Sequence, residues 1–309
     1  MSSIPKDDLS VDAQTALVEF STDLEMALEA TSDPWAESLG HSRRSDALET
    51  KFNLPLSDTG LKEFKGDPRY RTLSSKRIAV IVKEYFDGVA EKKTTIEAPD
   101  FFAWDLEPQR IAGEIAALPN DLVAELLAKG HIAVHDWDGL TFFHASHLVN
   151  PLKAASGTFK NVYTGQAISI ATVKLIKSRF RAIASANGKR KLGLKLTHIV
   201  CHADDEQDWL DVAKLTHIGG SGGEENRHRE TFEVVVGDEL TTAAGVYFPV
   251  AANKIGMYPW FVQQNIAPER RIHDESSAMY ETKLMVGTDV IHRATAAYAL
   301  PHCVAKYSV

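Results

Sequence analysis

Gly219-Gly220-Ser221-Gly222-Gly223 matches the G-x-S-x-G pattern of a nucleophile elbow, where a serine on a tight strand-to-helix turn attacks an acyl carbon. That chemistry needs a buried strand before the serine, an apolar helix after it, and an acid and a histidine further on. Here Glu224, Glu225, Asn226, Arg227 and His228 follow, which cannot open a buried helix. The run reads as flexible loop, and a serine hydrolase using Ser221 is a distant alternative. Twelve histidines raise metal binding, with His144 and His147 three apart and His198 and His202 four apart. No H-E-x-x-H helix exists, and the second pair lies on a predicted strand, where residues four apart stand roughly 13 Å from each other. These histidines read as satisfied or exposed, with no metal expected, and alanine at Ser221, His144 or His147 is expected to leave assembly essentially intact and to abolish no activity. The sequence has neither G-x-x-x-x-G-K-[ST] nor G-x-G-x-x-G, so no cofactor is expected. The chain reads as a non-enzyme.

Charge is more informative. Residues 1–50 hold three basic residues (Lys6, Arg43, Arg44) against eleven acidic ones, a net of −8, equal to the net of the whole chain. Between Asp138 and Asp204 no acid occurs, while Lys153, Lys160, Lys174, Lys177, Arg179, Arg181, Lys189, Arg190, Lys191 and Lys195 give +10. Such segregation points to contact with another copy, another protein or a polyanion. The basic stretch lacks the interleaved aromatics of a single-strand binder. A neighbour's acidic N-terminal segment is the expected partner of Lys174, Lys177 and Arg181, ahead of DNA.

Several elements must position these groups. Leu17, Phe20, Leu24 and Leu28 recur at helical spacing after Ser10, until Ser32-Asp33-Pro34 breaks the pattern. The helix is acidic on its other face, so it is expected to dock outside its own core. Residues 46–86 read as a long two-stranded excursion with a charged tip, SDTGLKEFKGDP, the second run being RIAVIVKEYF over 77–86. Its apolar positions Leu54, Leu56, Leu61 and Phe64 are expected to be buried only against a neighbouring copy. From Glu107 to Lys129 the helical period returns, with Pro119 expected to kink or split it. HIAVH and LTFFH follow as short strands around Asp138-Gly139. A helix is predicted from Ser169, with Val173, Ile176, Phe180 and Ile183 inward and a left-handed cap at Asn187-Gly188. LKLTHIVCH reads as a strand leading to Asp204, whose Asp-x-x-Gln spacing predicts a capping box for a helix over 205–215. From Phe232 onward the chain reads as strands, including YETKLMVG.

The composition is that of an average soluble protein, 44% apolar and 25% charged. No apolar stretch approaches the roughly 18 residues of a membrane span, and the N-terminus lacks a secretory pattern. Two cysteines, Cys201 and Cys303, exclude a disulfide framework. A soluble α+β protein kept in the cytoplasm is the plain expectation, with 309 residues enough for two domains or one elaborate one.

Three stretches carry a resemblance to a known family. They are Asp138 to His147 (DGLTFFHASH) with Asn150-Pro151, Lys191 to Val200 (KLGLKLTHIV), and Lys254 to Pro268 (KIGMYPWFVQQNIAP), followed by Gly287 to Pro301. Together they resemble the Mu-like phage major head subunit family, in the family's order over 130–309 and more weakly over 50–130. Leu196 stands where that family usually has proline, and Cys201-His202 replaces a valine-proline ending. The resemblance implies the Hong Kong 97-type capsid fold, with an N-terminal arm at 1–45 and an extended hairpin loop at 46–86. A peripheral domain with a spine helix would occupy 87–160, completed by part of 260–295, and an axial domain 161–259, completed by 296–309. It implies a major capsid protein forming hexamers and pentamers of an icosahedral shell around double-stranded DNA, held without covalent crosslinks. Scaffold, protease, portal and a decoration protein are the implied partners, no membrane is involved, and assembly takes place in the host cytoplasm. A shell around a protein cargo is the alternative within the same fold.

Overall fold

The computed structural model describes residues 11–30, 34–55, 75–96, 103–186, 188, 190–214, 217–218, 224–226, 228–253, 256–274 and 276–309. Helix α1 (Val11–Ala30) forms over the expected stripe, but its docking differs from expectation. Leu17, Phe20 and Leu24 are buried against Ile111, Ala112 and Val290 of the same chain, because that apolar stripe finds a matching one within its own fold. A short helix α2 (Trp35–Leu39) and strand β1 (His41–Arg44) then enter the main body.

Strands β2 (Glu49–Pro55) and β3 (Ser75–Ile81) pair antiparallel over seven residue pairs as a two-stranded ribbon. The apolar run 77–86 is not one strand: it breaks at Val82, and β4 (Lys83–Lys92) joins a different sheet. After a single turn, α3 (Lys93–Ile96), comes the long helix α4 (Ala103–Lys129). It runs unbroken through Pro108 and Pro119, so Pro119 does not split it.

The segment 130–163 is mostly turns. The two expected short strands shrink to one bridge, Val134 to Thr141, around Gly139 at φ +76°, where a side chain would be strained. β5 (His147–Leu148) pairs with β6 (Thr158–Phe159), and β7 (Val162–Tyr163) follows. Helix α5 (Ile170–Ala182) starts where predicted, the Ser169 hydroxyl accepting from Thr172 N. It ends at Ala182, earlier than expected; Gly188, at φ +70°, instead turns a small loop closed by the Ala184–Lys191 bridge. β8 (His198–Cys201) leads into α6 (Glu206–Lys214). The cap there is His202, whose ring accepts from Asp204 N, while Gln207 donates to Asp211 instead of closing a capping box. β9 (His217–Ile218) and β10 (Glu224–Glu225) pair with each other. β11 (Glu233–Val236), β12 (Val246–Val250), β13 (Trp260–Gln264) and β14 (Glu269–His273) follow. Residues 280–287, expected as strand, are half helix: α7 (Ala278–Lys283) is capped by Ser277 and closed by Leu284 in the left-handed region. β15 (Met285–Tyr298) and β16 (Lys306–Ser308) complete the chain.

Two five-stranded sheets organise these elements. In the first, β15 pairs with β13, β14 and β4, and β1 adds parallel to β13. In the second the order is β11-β8-β12-β16-β7. Strand alternation gives the second sheet two apolar faces. Ile199, Cys201, Tyr247 and Tyr307 meet α5 and α6, while Val200, Phe248 and Val250 meet α4 through Val123 and Leu127, the turn segment through Phe143 and the first sheet through Trp260. Among the described residues no helix is long and apolar enough to cross a membrane.

Candidate interaction surfaces

Burial of Val173, Ile176 and Phe180 fixes the roll of α5. Lys174 and Arg181 are therefore turned to solvent and Lys177 half so, three and four residues apart on one face. Lys191 joins them across an open groove whose floor includes His228 and Thr231. The Lys177 amine donates to the Thr231 hydroxyl and to His228 Nδ1, 3.1 Å away. Burial, then Arg181, holds the Lys177 amine below its ordinary range; burial, then Lys177 and Lys174, does the same to the His228 imidazole. No carboxylate pairs with Lys174, Lys177 or Arg181 among the described residues. Arg179 is turned the other way. Its guanidinium lies 3.8 Å from the Tyr163 ring centre and donates to Tyr307 Oη at 3.1 Å, so it holds β7 and β16 and is no part of the groove.

The ribbon's apolar side behaves differently from expectation. Leu54 is only 3% exposed, in one core with Phe52, Ile78 and Val80, and Phe52 stacks on Phe261 at 4.0 Å. The inward residues of the ribbon alternate and so share a face, which the subunit itself covers. Leu54 is thus not held in reserve for a neighbour. Leu56, Leu61 and Phe64 lie outside the described residues, as does Ser221. On the outer side of the ribbon and beyond it, Ile81 (71%) and Phe86 (70%) are exposed. Phe86 lines an open groove with Tyr85, Ile115 and Leu118 between β4 and α4.

His144 and His147 belong to a polar knot. Asp138 and His147 have fully buried side chains; His147 Nδ1 donates to Asp138 Oδ2 at 2.9 Å, and its Nε2 lies 2.9 Å from the Phe142 carbonyl oxygen. Burial alone would raise the Asp138 carboxyl, but hydrogen bonds from His147 and Leu148 N bring it below the usual range. His147 is therefore a satisfied core residue and no exposed bystander, which revises the expectation for its alanine variant. Asn161 ties the knot to the C-terminal segment, donating to the carbonyls of Phe142 (2.8 Å) and Pro301 (3.2 Å) and accepting from His144 N (2.8 Å). His302 is stacked on Phe159, and burial drives its imidazole down to about 3. His198 lies 3.3 Å from Glu233 and His202 3.4 Å from Asp204. Among the described residues no group of three His, Cys, Asp or Glu could hold a metal. Burial also pushes the Cys201 thiol up to about 12, far from a reactive thiolate.

A hydrogen-bonded network joins the first sheet to the N-terminal segment. Glu37 accepts from the Gln264 amide and from Ser42 Oγ (2.9 Å), Arg44 donates to Gln264 Oε1 at 2.9 Å, and His292 Nε2 lies 3.1 Å from that oxygen. Its members are spread over 255 positions of sequence between Glu37 and His292, so no local spacing could have exposed it.

A family model described as the Mu-like prophage major head subunit gpT matches residues 14–179. That span takes in the Asp138–His147 stretch; Lys191–Val200 and Lys254–Pro268 lie beyond it. No curated protein matches the chain by sequence. Among solved structures the chain is similar to that of the bacteriophage JBD30 procapsid, with a TM-score of 0.56 at 12% identity over 97% of this chain and 76% of that one. It is also similar to the capsid of an empty GTA particle, with a TM-score of 0.55 at 11% identity over 90% and 91% of the two chains. The JBD30 capsid gives 0.52 at 11% identity over 98% and 70%. At such identities the likeness is one of fold, and it is the α+β capsid fold of the Hong Kong 97 type.

Proposed function

The chain belongs to the Mu-like prophage major head subunit gpT family, and on that premise we propose that its copies close into an icosahedral shell around double-stranded DNA. It is a major capsid protein, a structural component of the virion. The observation that carries the reading is the agreement between the family match and a fold shared with a procapsid chain over 97% of the subunit. The matched family is one of head subunits, which sets the DNA-filled shell ahead of a protein-cargo compartment.

The domain scheme anticipated above is part of the proposal. The first sheet with α4 would be the peripheral domain, taking β13, β14 and most of β15 from the C-terminal region; the second sheet with α5 and α6 would be the axial domain, closed by β16. The arm of 1–45 would then be continuous with the body at its end, since β1 pairs with β13. The hairpin loop 46–86 would reach a neighbour through Leu56, Leu61 and Phe64, and the row Lys174, Lys177 and Arg181 would face another copy. Edge strands such as β14, paired on one side only among the described residues, leave main-chain groups able to accept a partner strand. Scaffold, protease, portal and a decoration protein are expected to act during assembly in the host cytoplasm.

Purified protein imaged by negative-stain electron microscopy tests the reading. Wild type should form closed particles, and deletion of 57–67 should give a soluble, folded subunit or small oligomer that closes none. Normal particles from the deletion would overturn the role given to the hairpin, and absence of particles from wild type would count against the shell.

A further inference from the structure

The face of the second sheet that carries α5 also carries a row of the opposite sign. Burial of Trp209, Val212 and Ala213 fixes the roll of α6 and leaves Asp208 and Asp211 exposed, as Asp204 is in the turn Ala203–Asp205 before it. Asp204, Asp208 and Asp211 recur at four and three residues, and Lys174, Lys177 and Arg181 at three and four. The basic row extends over seven residue steps of α5, roughly 10 Å, and the acidic row over the same number of steps from the turn into α6. Among the described residues neither row meets a lysine, arginine or carboxylate of opposite sign; Asp204 has only the His202 ring, and Asp211 the Gln207 amide. Stacking like charges at three- and four-residue spacing is unfavourable within one subunit, and an opposed row in a second copy would relieve it.

We infer that the acidic face of α6 in one subunit packs against the basic row of α5 in the next, head to tail around a ring. This rests on the shell reading and names the partner of the α5 row. Because two different patches meet, the contact is heterologous, the type that closes rings of identical subunits. Helix α1 is the poorer partner: Leu17, Phe20 and Leu24 hold it on its own α4, and Glu25 already lies 3.5 Å from Arg270. The half-buried Lys177 amine has lost part of its water, so an arriving carboxylate meets a cation with less hydration to remove.

Charge exchange in the full chain tests the contact. Lys174→Glu/Lys177→Glu/Arg181→Glu and Asp204→Lys/Asp208→Lys/Asp211→Lys should each abolish particles at low salt while keeping the wild-type circular dichroism spectrum, and the six-fold variant should restore them. Lys177→Cys/Asp208→Cys supplies a second readout that reverses no charge. Mild oxidation of its particles should give a ladder of covalent multimers on a gel, which neither single cysteine gives. Wild-type particles with no rescue and no ladder overturn the contact while leaving the shell standing. Rescue by reversing Glu19, Asp23 and Glu25 instead would overturn it in favour of the N-terminal helix. Normal empty particles from the α5 variant that fail only to retain DNA would overturn it in favour of DNA. Absence of particles from wild type would remove the contact together with the shell.

Discussion

Asp138 and His147 illustrate what single residues contribute to this subunit. The carboxylate is buried with the imidazole, Leu148 N and Leu140 N as its donors, so removing the ring leaves a charge without its main partner. His147→Ala should therefore lower unfolding stability by about 3 kcal/mol, read as a shift of the urea midpoint. His135, His292 and His302 act through protonation. Burial holds them at about 4, about 4 and about 3, against an ordinary value of 6.5. Above pH 6.5 both the folded and unfolded chains keep these rings neutral, and they impose no pH dependence. As pH falls through 6.5 the unfolded chain binds protons that the folded chain refuses, so stability drops until the folded values are reached. Each ring adds up to about 1.4 kcal/mol per pH unit in that window. Urea midpoints measured between pH 7 and 4 should fall steadily, and His302→Phe should flatten the curve; a midpoint independent of pH would refute the assignment.

At the scale of elements, packing and spacing divide what could be read in advance from what could not. Ser169 and the stripe Val173, Ile176, Phe180 made α5 legible, because cap and periodicity are local. The break at Val82 was not legible, because β3 and β4 form one apolar run and only their partners, β2 and β15, differ. Tyr280 to Gly287 looked like strand by composition, yet a Ser277 cap and the left-handed Leu284 enclose a helix there. Of the residues expected at contacts, the outward placement of the α5 row could be read because a helix displays its own periodicity. Leu54 was misjudged because the core it joins, with Phe52 stacked on Phe261, is assembled from residues some two hundred positions away. Two glycines make the packing measurable. A Cβ at Gly287 would stand 2.3 Å from the Val89 carbonyl oxygen and 2.7 Å from Ala90 Cα, so Gly287→Ala must push β4 from β15 and should cost about 1–3 kcal/mol. Gly113, on the exposed side of α4, has open space, and Gly113→Ala should stabilise by about 1 kcal/mol. Thermal melts of the two variants should move in opposite directions.

For the whole molecule, a net of −8 distributed as opposed fields makes association sensitive to ionic strength. Exposed pairs are worth about 0–1 kcal/mol each, and the screening length shortens to about 3 Å at 1 M salt. Empty particles should therefore form poorly or loosen at 1 M sodium chloride; light scattering that is unchanged by salt would refute an electrostatic contribution. The long pairing of β4 with β15 bears on how a subunit carries force. Ten successive residue pairs, Lys83 with Ala294 through Lys92 with Met285, join the root of the ribbon to the first sheet. A pull on the ribbon along the strand axis loads all ten pairs together in shear, whereas a pull across it opens them one at a time, like a zip. A neighbour that gripped the ribbon would meet a stiff tether along the strands and a joint that opens pair by pair across them. Subunits joined in this way would resist stretching in the plane of a wall while leaving the angle between neighbours free to vary.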